Sequence, residues 1–402
     1  MTINGEHVSS APLNGVRVLD VSTVLAAPLS CALLGELGAD VVKVEHPAGG
    51  DPTRSYPPLH DGVSVAWEQF GRGKRSVALD LHEPEGVALL HELIRTCEVV
   101  VTNFRAPTAN RFGLDFETVS ALRPGIVMFH LTAFGRTGPY ADRPGFARVV
   151  EAFAGLTHRT GDAEGPPRFS GYPIADGVGG IYGAFSILAA MRQRDLTGEA
   201  QLVDLGLYEP MLRMMEDFIG TYGATGVSAG RIGNGNPAVV PNGLFPTADR
   251  RWVVLPASTD GMWRRLLRVL DRPDLESFDT MAARVDHRDL IDDAVARFTA
   301  SYPLDDLLAV LHEAGIAAAP VNTAEDIVAD PHVQARGSIL RVQARDGSDA
   351  MIVGPAGRYS GFDFAQRGPA PALGEHTDEV LAQLKGVTTA DIHGLRARGV
   401  IR

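Results

Sequence analysis

The chain has 402 residues, of which 45% are apolar and 21% are charged, a composition typical of a globular protein and not of a disordered or fibrous one. At this length two domains are expected, each with its own core. The net charge of −12 argues against nucleic acid as a partner, because a negative protein repels a polyphosphate surface. The two cysteines, Cys31 and Cys97, are too few for a disulfide framework or a cysteine-built metal site and fit a reducing compartment.

Targeting features are not apparent in the sequence. The first ten residues are polar and lack the basic and apolar regions of a secretory signal. No uninterrupted apolar run approaches the ~18 residues that a membrane-spanning helix needs. The sequence therefore predicts a cytoplasmic protein without a membrane partner.

The first half of the chain alternates between β-branched runs and helical apolar spacing, which favours a parallel sheet covered by helices. The predicted strands are 16–21, 40–45, 76–81, 99–101, 126–131 and 201–205, and the predicted helices are 28–37, 84–96 and 177–194. Gly198 is expected to end the last of these helices.

The second half is divided by a glycine-rich stretch, 220–243, which contains seven glycines and two prolines and is interpreted as a linker or crossover. A smaller α/β unit is predicted after it, with strands 252–256 and 316–321 and helices 262–270, 290–300 and 304–314. Short strands at 339–342 and 350–353 and a helix at 377–384 follow. The predicted domains are a large one at 1–205 completed by 331–402, a linker helix and crossover at 206–243, and a small domain at 244–330.

Several common catalytic motifs are absent from the sequence. A phosphate-binding P-loop would need a glycine where Glu68 stands and Ser or Thr where Arg75 stands. The first strand-to-helix turn, 22–28, has no glycine and so fails the dinucleotide fingerprint. Neither a Gly-x-Ser-x-Gly elbow nor a histidine pair at zinc-ligand spacing occurs, so neither a serine hydrolase nor a metal site is expected.

Basic residues flank two of the predicted strands. Arg72 and Lys74 precede one strand, and Arg105 and Arg111 follow another. The turn Asn103-Phe104-Arg105 comes directly after a predicted buried strand, a position where open parallel sheets bind ligands. A phosphate group is the expected ligand. From position alone, the alternative that these are solvated surface cations stays open.

Asp176 is the second candidate, at the predicted N-cap of helix 177–194. A structural cap would explain an aspartate there. The glycines that follow, Gly177, Gly179 and Gly180, cost about 1 kcal/mol each in a helix relative to alanine and are not needed for capping. They would let a bulky ligand approach the carboxylate.

Six motifs in a fixed order carry a resemblance that spans nearly the whole chain: LNGVRVLD at 13–20, GADVVKVE at 38–45, GKRSVALDL at 73–81, NFR at 103–105, FGRTGP at 134–139 and LGEHTDEVL at 373–381. With them the chain resembles the class III CoA-transferases (CaiB/BaiF type), a family that includes formyl-CoA and carnitine CoA-transferases and the α-methylacyl-CoA racemases.

The resemblance implies that Asp176 is the catalytic carboxylate. It also implies coenzyme A (CoA) as a substrate, not a permanently bound cofactor, with contacts from Arg72, Lys74, Asn103, Phe104, Arg105, Arg111 and Phe134. The implied fold is α/β, with a Rossmann-like large domain, a smaller α/β domain and a homodimer of interlocked rings. Gly177, Gly179 and Gly180 are candidates for oxyanion stabilisation.

The expected reaction is transfer of CoA from an acyl-CoA donor to a carboxylic acid through an aspartyl-acyl anhydride. One alternative is an α-methylacyl-CoA racemase, whose family members have a histidine base where this chain has Gly145-Phe146-Ala147. Another is a CoA-binding homologue without catalysis. Phe146, Tyr172 and Met214 are candidates for the acyl pocket, although core packing is the simpler explanation for each of them.

Overall fold

A computed structural model describes residues 11–60, 62–365 and 367–402, together with the backbone of Thr2–Ile3 and Glu6–His7. The chain divides into two compact units. The first comprises Met1–Leu156, Ser170–Gly220 and Ala335–Arg402, and the second comprises Thr157–Phe169 and Thr221–Gln334. The domain boundaries predicted after residues 205, 243 and 330 stay predictions.

Strands and helices are numbered in chain order. The strands are β1 Thr2–Ile3, β2 Glu6–His7, β3 Arg17–Asp20, β4 Asp40–Glu45, β5 Leu59–His60, β6 Val63–Ser64, β7 Arg75–Ala78, β8 Val99–Thr102, β9 Val127–Thr132, β10 Gln201–Gly206, β11 Asn242–Pro246, β12 Trp252–Pro256, β13 Ala319–Pro320, β14 Ile339–Gln343 and β15 Asp349–Val353. The helices are α1 Ala26–Glu36, α2 Val65–Phe70, α3 Pro84–Arg95, α4 Ala106–Arg111, α5 Phe116–Leu122, α6 Ala147–Phe153, α7 Leu156–Arg159, α8 Ile174–Thr197, α9 Tyr208–Met214, α10 Glu216–Thr225, α11 Asp260–Leu270, α12 Met281–Asp286, α13 Arg288–Thr299, α14 Leu304–Glu313, α15 Ala324–Ala329, α16 Pro331–Arg336, α17 Thr377–Leu381 and α18 Thr389–Ala397. Two short 3₁₀ helices span Pro52–Ser55 and Pro273–Leu275.

The first unit is built on a parallel sheet of six strands in the order β10-β9-β8-β3-β4-β7. Its strands are rich in β-branched residues, and every position of β8 is buried, as expected of strands with helices on both faces. Counted along the chain within this sheet, the order is 3-2-1-4-5-6, the arrangement of doubly wound dinucleotide-binding sheets. The predicted α/β class with a parallel sheet is confirmed.

Helices cover both faces of this sheet. On one face α1 and α8 belong to a buried cluster that includes Phe129 and Ile187. On the other face α3 and α5 share a cluster with the C-terminal helices α17 and α18, which contribute Leu381 and Ile392. The C-terminal residues also reach the sheet edge, where the Asp80 amide donates to the Val400 carbonyl at 2.8 Å. The last part of the chain therefore completes the core of the first unit.

Helix α8 begins at Ile174, three residues before the predicted start. Pro173 is its N-cap, so Asp176 is the third residue of the helix and its predicted position at the N-cap was wrong. The physical reason is that a residue from another helix accepts a free amide at the start of α8. The carboxylate of Glu151 accepts the Ala175 amide at 3.1 Å. The N-cap residue itself, Pro173, makes no side-chain capping hydrogen bond.

The glycines of α8 allow α1 to pack closely against it. A Cβ added at Gly183 would lie 2.2 Å from Ser30 Oγ, and one added at Gly180 would lie 2.9 Å from the Ala26 carbonyl oxygen. Ser30 Oγ in turn donates to the Gly180 carbonyl at 2.9 Å. Close approach of two helices thus explains these glycines, and the sequence-based interpretation that they make room for a ligand is not needed for them.

Helix α8 is also long and apolar enough to cross a membrane. The expectation that no segment meets these criteria was therefore wrong for this helix. Length and composition are weak indications by themselves, because the core helix of a soluble protein can meet them too. One face of α8 packs against α1 and the sheet, and the other face carries exposed apolar side chains such as Ile181 and Phe185.

The second unit contains a three-stranded antiparallel sheet, β11-β12-β13. Strand β12 has the bounds predicted from the sequence. The predicted strand 316–321 is reduced to Ala319–Pro320, since proline has no amide to donate to a ladder. The predicted linker 220–243 contains the end of α10 and the start of β11. Strand β4 also has the predicted bounds, and the other predicted elements are present with shifted ends.

Candidate functional site

The strand order of the parallel sheet locates a crevice. Strands β3 and β8 are neighbours, but the chain leaves them toward opposite edges, and such a switch point is where open α/β sheets bind ligands. Thr23 follows β3 and Asn103 follows β8. The Asn103 side chain accepts the Thr23 amide at 2.9 Å and donates to the Thr23 carbonyl at 2.7 Å, so the two loops are fastened together at the crevice.

The turn after β3 is held in an unusual conformation. Val24 has φ of 70°, a left-handed value that is rare for a β-branched residue and that clusters at functional sites. Its amide donates to both carboxylate oxygens of Asp51 at 3.3 Å. The ammonium of Lys43, 3.2 Å from Asp51, holds that carboxylate in place. The turn is thus supported by a buried ion pair beneath it.

Asp176 lines a cavity of about 300 Å³ at this crevice, the Asp176 cavity. Its wall is made of the loops after β3, β8 and β9, the segment 143–146 and the start of α8; the lining residues are Thr23, Val24, Leu25, Ala26, Asn103, Phe104, Arg105, Thr108, Leu131, Thr132, Ala133, Arg143, Pro144, Gly145, Phe146, Asp176 and Leu207. Predicted site residues Asn103, Phe104 and Arg105 therefore lie on the same cavity as Asp176.

The carboxyl group of Asp176 is an unusually strong base. Burial and the nearby carboxylate of Glu151 raise its pKa from 3.8 to about 6, against the opposing charge of Arg148. Glu151 is 1% exposed, accepts the Ala175 amide and accepts from Arg148 at 2.8 Å. The N-terminal end of α8 favours the ionised form. At neutral pH the site thus holds a poorly solvated, ionised carboxylate of raised basicity.

The oxyanion candidates all lie within α8. An α-helix leaves only its first four amides without an intrahelical acceptor, counted from the N-cap. With Pro173 as the N-cap these amides end at Asp176, and Gly177 is the first residue whose amide faces a carbonyl four residues earlier. Gly177, Gly179 and Gly180 therefore stay predictions as oxyanion donors.

A second cavity of about 220 Å³, the Arg111 cavity, adjoins the first. The two share Thr23, Phe104 and Thr108 as lining residues. Its walls are mainly apolar, and Phe104 packs edge-on against Phe112 with ring centroids 5.6 Å apart. Arg111, His46 and His82 bring positive or protonatable groups to this cavity. The structure thus places Arg111 on a cavity adjacent to that of Asp176, with Phe104 lining both.

Three of the predicted CoA contacts lie elsewhere. Lys74 is 3% exposed, and its ammonium donates to Asp20 at 2.8 Å and to the Pro28 carbonyl at 2.9 Å. Burial raises the pKa of Asp20, but Lys43 and Lys74 outweigh burial and lower it to about 2. The contact of Lys74 with CoA stays a prediction, and these hydrogen bonds argue against it because the Lys74 charge already neutralises a buried carboxylate.

Phe134 and Arg72 are also separated from the Asp176 and Arg111 cavities. Phe134 belongs to an aromatic cluster, with ring centroids 5.1 Å from Phe153 and 5.8 Å from Tyr140, and lines neither cavity. Arg72 is 4% exposed and lines a different cavity. Neither residue is placed to touch a ligand beside Asp176.

The candidate acyl-pocket residues are also divided. Phe146 lines the Asp176 cavity and is 70% exposed. Tyr172 lies beside Asp176, since burial and that carboxylate raise its pKa. Met214 is not among the residues that line the cavity.

Sequence reasoning missed Glu151, Asp51 and the pair His46 and His82. The histidines follow β4 and β7, at the same edge of the sheet as Asn103, so their position after strand ends was a usable signal. No comparable signal marks Glu151, which is an ordinary helical residue in the sequence. Its importance comes from folding, which brings α6 against the start of α8.

Among the described residues, His46, Asp80 and His82 form one group whose donor atoms are close enough for a metal ion. The hydrogen bonds do not fit this role. His46 Nδ1 accepts the Ala48 amide at 3.1 Å, so in the neutral ring the proton is on Nε2, the atom that faces Asp80 at 3.6 Å. His82 Nδ1 is 3.0 Å from the same carboxylate. The Nδ1 atoms of both histidines therefore have partners within the chain without a metal ion.

Comparison with known proteins identifies the family. A sequence profile described as CoA-transferase family III matches residues 13–377. The chain is 37% identical to the succinyl-CoA–D-citramalate CoA-transferase of Chloroflexus aurantiacus, covering 97% of this chain and 98% of the relative. It is 36% identical to the succinate–glutarate CoA-transferase of Agrobacterium fabrum, covering 94% and 96%.

The fold agrees with this match. The crystal structure of a CaiB/BaiF family protein from Brucella suis superimposes with a TM-score of 0.83 at 32% identity and covers 94% of this chain and 100% of the other. The family profile, the sequence relatives and the superimposed crystal structure each match nearly the whole of this chain. The chain belongs to CoA-transferase family III and is an enzyme that transfers CoA between an acyl-CoA and a carboxylic acid.

Proposed function

We propose that this enzyme transfers CoA from succinyl-CoA to a dicarboxylic acid, with Asp176 as the nucleophile. The observation that carries the proposal is the position of Asp176: a half-buried carboxylate, with its pKa raised to about 6, on a cavity that shares wall residues with a second cavity that has cationic groups. Succinyl-CoA or succinate appears in the names of the relatives reported above.

CoA is placed across the two cavities, with its adenosine in the Arg111 cavity and its thioester at Asp176. The apolar Arg111 cavity, with the ring of Phe104 as a wall, accepts the adenosine. Arg111, His46 and His82 are the groups available to its phosphates. Because Thr23, Phe104 and Thr108 line both cavities, the pantetheine arm passes Phe104 and Asn103 and brings the thioester to Asp176.

Catalysis begins with attack of the Asp176 carboxylate on the thioester carbonyl. CoA leaves as the thiolate, and the acyl group stays on Asp176 as a mixed anhydride. The thiolate then attacks the aspartyl carbonyl of the anhydride, which releases the donor acid and leaves CoA on Asp176 as a thioester. The acceptor carboxylate attacks this aspartyl thioester, which releases the CoA thiolate and forms a second anhydride. The thiolate then attacks the acceptor's carbonyl in that anhydride, which gives the new acyl-CoA and frees the Asp176 carboxylate. The thioester bond is conserved throughout.

Local groups favour each step. Burial of Asp176 replaces water with fixed protein dipoles, which makes the carboxylate more reactive. Gly177, which follows Asp176 directly, stays our candidate for stabilising the oxyanion that develops at the attacked carbonyl. Asn103 fixes Thr23 at the cavity wall, so the loop that faces the thioester keeps its position during the exchange.

A dicarboxylate substrate fits the charge of the Asp176 cavity. Arg143 and Arg105 both line it. The guanidinium of Arg143 stacks on the Tyr140 ring at 3.6 Å, which leaves its in-plane N–H edge for a carboxylate. We assign Arg143 to the distal carboxylate of the succinyl group and Arg105 to CoA.

Racemisation is the less favoured activity. It requires a second acid or base opposite the aspartate, and the described residues that line the Asp176 cavity include no histidine. Phe146 occupies that part of the wall. The cavity therefore favours acyl transfer over proton transfer.

An interlocked homodimer is proposed as the assembled form. Helix α8 carries Ile181 and Phe185 on one face, 60% and 66% exposed, and Met214 and Ile219 are 54% and 52% exposed on α9 and α10. Exposed apolar side chains of this size commonly mark protein interfaces. Size-exclusion chromatography with light scattering tests this: a dimer is expected, and a monomer that retains full activity would contradict it. A cytoplasmic location stays a prediction.

The direct test is the substitution Asp176→Ala. Transfer of CoA from succinyl-CoA to glutarate, followed by chromatography of the thioesters, is expected to be abolished. The circular dichroism spectrum and CoA binding by calorimetry are expected to be retained. Turnover comparable to that of the wild type would disprove the role of Asp176.

A further inference from the structure

The first unit contains a third cavity that the transferase reaction does not use. It has a volume of about 500 Å³ and lies between the end of α1, the segment that follows α2, and the C-terminal residues 336–367. Five arginines line it: Arg72, Arg336, Arg341, Arg358 and Arg367. Glu36 is the one acidic residue among the described lining residues. In a chain of net charge −12, this Arg367 cavity is a local concentration of positive charge.

Arg72 supplies a buried donor without an acceptor. The residue is 4% exposed. Its terminal nitrogens make long hydrogen bonds, 3.4 Å to Glu68 and 3.4 Å to the Arg367 carbonyl. Its Nε is inaccessible and has no partner among the described residues. Buried N–H groups are nearly always paired, so this one is available for an acceptor that enters the cavity.

Arg367 lies in a cradle made by two glycines. A Cβ at Gly73 would lie 2.7 Å from its Nε, and one at Gly35 would lie 2.9 Å from its Nη2. Gly73 has φ of 67°, a conformation that glycine adopts without strain. Arg367 Nη1 donates to the Ala32 carbonyl at 2.7 Å. Any other residue at Gly35 or Gly73 would displace this guanidinium, so its position is built into the backbone.

The charge of Arg367 is only partly compensated. Its Nη2 is inaccessible and has no partner among the described residues. Burial lowers the pKa of Arg367 to about 10, with Glu36 acting in the opposite direction. A buried cation that lacks a full complement of acceptors is costly. An oxyanion beside Arg367 and Arg72 would remove this cost.

The remaining arginines are placed at the cavity mouth. Arg336 and Arg341 are exposed, and no carboxylate within the described residues pairs with either of them. Arg358 donates to the Ala335 carbonyl at 3.1 Å. Leu340, Ile352 and Phe364 give the cavity an apolar wall. The cavity therefore combines arginine guanidinium groups with an apolar wall, and it is large enough for a small organic molecule.

We propose that the Arg367 cavity binds a small molecule that carries a phosphate or pyrophosphate group. Planar guanidinium forks match the oxygens of these groups in bidentate fashion. The buried N–H groups of Arg72 and Arg367 contact the anion, and the exposed Arg336 and Arg341 close over it. The apolar wall takes an attached organic group. This site is separate from the Asp176 cavity and does not depend on the assignment of the transferase substrates.

Isothermal titration calorimetry of the full-length protein with inorganic pyrophosphate, at constant ionic strength, tests the proposal. Arg336 and Arg341 are the residues to change, because they are exposed and their loss leaves the core intact. The double variant Arg336→Gln, Arg341→Gln is expected to bind pyrophosphate about tenfold more weakly than the wild type. Arg192→Gln, an exposed arginine on α8, is the matched control and is expected to bind as the wild type does.

A second set of titrations separates this site from the CoA cavities. In the Arg111→Gln variant the pyrophosphate affinity of the Arg367 cavity is expected to be unchanged. Adenosine diphosphate is the second probe, and it is expected to bind more tightly than pyrophosphate because the apolar wall takes its organic group. Equal binding of the two probes would overturn the role given to the apolar wall.

The proposal is overturned if the wild type does not bind pyrophosphate, if the double variant binds it as the wild type does, or if Arg111→Gln alone abolishes binding. Sedimentation velocity gives a further check. If the double variant changes its oligomeric state and neither protein binds pyrophosphate, the arginines hold an acidic segment of a second copy, and the proposal is wrong.

Discussion

The raised pKa of Asp176 predicts that the substitution Asp176→Asn stabilises the protein while it removes activity. The carboxyl group has a pKa of 3.8 when solvated and about 6 in the fold, so above pH 6 folding must bury a charge. The difference corresponds to roughly 3 kcal/mol at about 1.4 kcal/mol per pH unit. This is an upper limit, because the carboxylate retains some contact with solvent. Asparagine resembles the neutral acid and removes the cost.

The pH dependence gives this prediction its sign. A carboxyl group with a raised folded pKa destabilises the fold progressively as pH rises from 3.8 to about 6, and the whole effect is present above that range. The gain from Asp176→Asn should therefore approach about 3 kcal/mol at about pH 7.5 and fall to roughly 1.5 kcal/mol at about pH 5.

Urea unfolding followed by fluorescence and circular dichroism at both pH values measures the gain. Glu199→Gln, an exposed acid just after the same helix, is the control and is expected to change little at either pH. A variant Asp176→Asn that is no more stable than the wild type at the higher pH, or whose gain is the same at both pH values, would refute the reasoning.

Three further predictions concern the surroundings of the site. The pKa of Asp176 is raised by burial and by the charge of Glu151, and Glu151→Gln removes the second of these causes. The acid limb of the pH–rate profile, near about pH 6 in the wild type, should therefore move to lower pH. An unchanged acid limb would contradict the coupling between Glu151 and Asp176. Lys74→Met leaves Asp20 with one cation fewer in a fully buried pair and should cost about 3–5 kcal/mol of unfolding free energy. Lys385→Met, at an exposed lysine, is the control for that substitution and should cost little in the same urea titration; equal losses from the two variants would show that the buried pair is not the cause. Gly180→Ala places a Cβ 2.9 Å from the Ala26 carbonyl oxygen and should cost about 1–3 kcal/mol with a lower melting temperature; wild-type stability would show that α1 and α8 separate easily.

The parallel sheet could be predicted from the sequence because its strands are short, apolar and buried on both faces. Such runs have few alternatives once helical segments separate them. The start of α8 could not be located in this way. A carboxylate before a glycine-rich helix has the same sequence signature whether it caps the helix or lies within its first turn. A distant residue, Glu151, decides the matter by accepting the Ala175 amide.

The site was predicted only in part. Asn103, Phe104 and Arg105 follow a buried strand, a position where open parallel sheets bind ligands, but position alone left solvated surface residues as an alternative, and the family resemblance decided between the two. The surroundings of Lys74 and Arg72 could not be predicted, because a basic residue beside a strand looks the same in sequence whether it faces a ligand or a buried acid. The carboxylate of Asp20 decides the role of Lys74, and this pairing joins residues 54 positions apart.

The central claim is that Asp176 carries the transferred group, and chemical trapping of the intermediate tests this most directly. The wild type is incubated with succinyl-CoA in the presence of hydroxylamine, which converts an activated carboxyl group to a hydroxamate, and the digested protein is analysed by mass spectrometry. The expected result is a hydroxamate on the peptide that contains Asp176, formed only when succinyl-CoA is present. Modification at another carboxylate, such as Glu151, or none during continued turnover, would contradict the account.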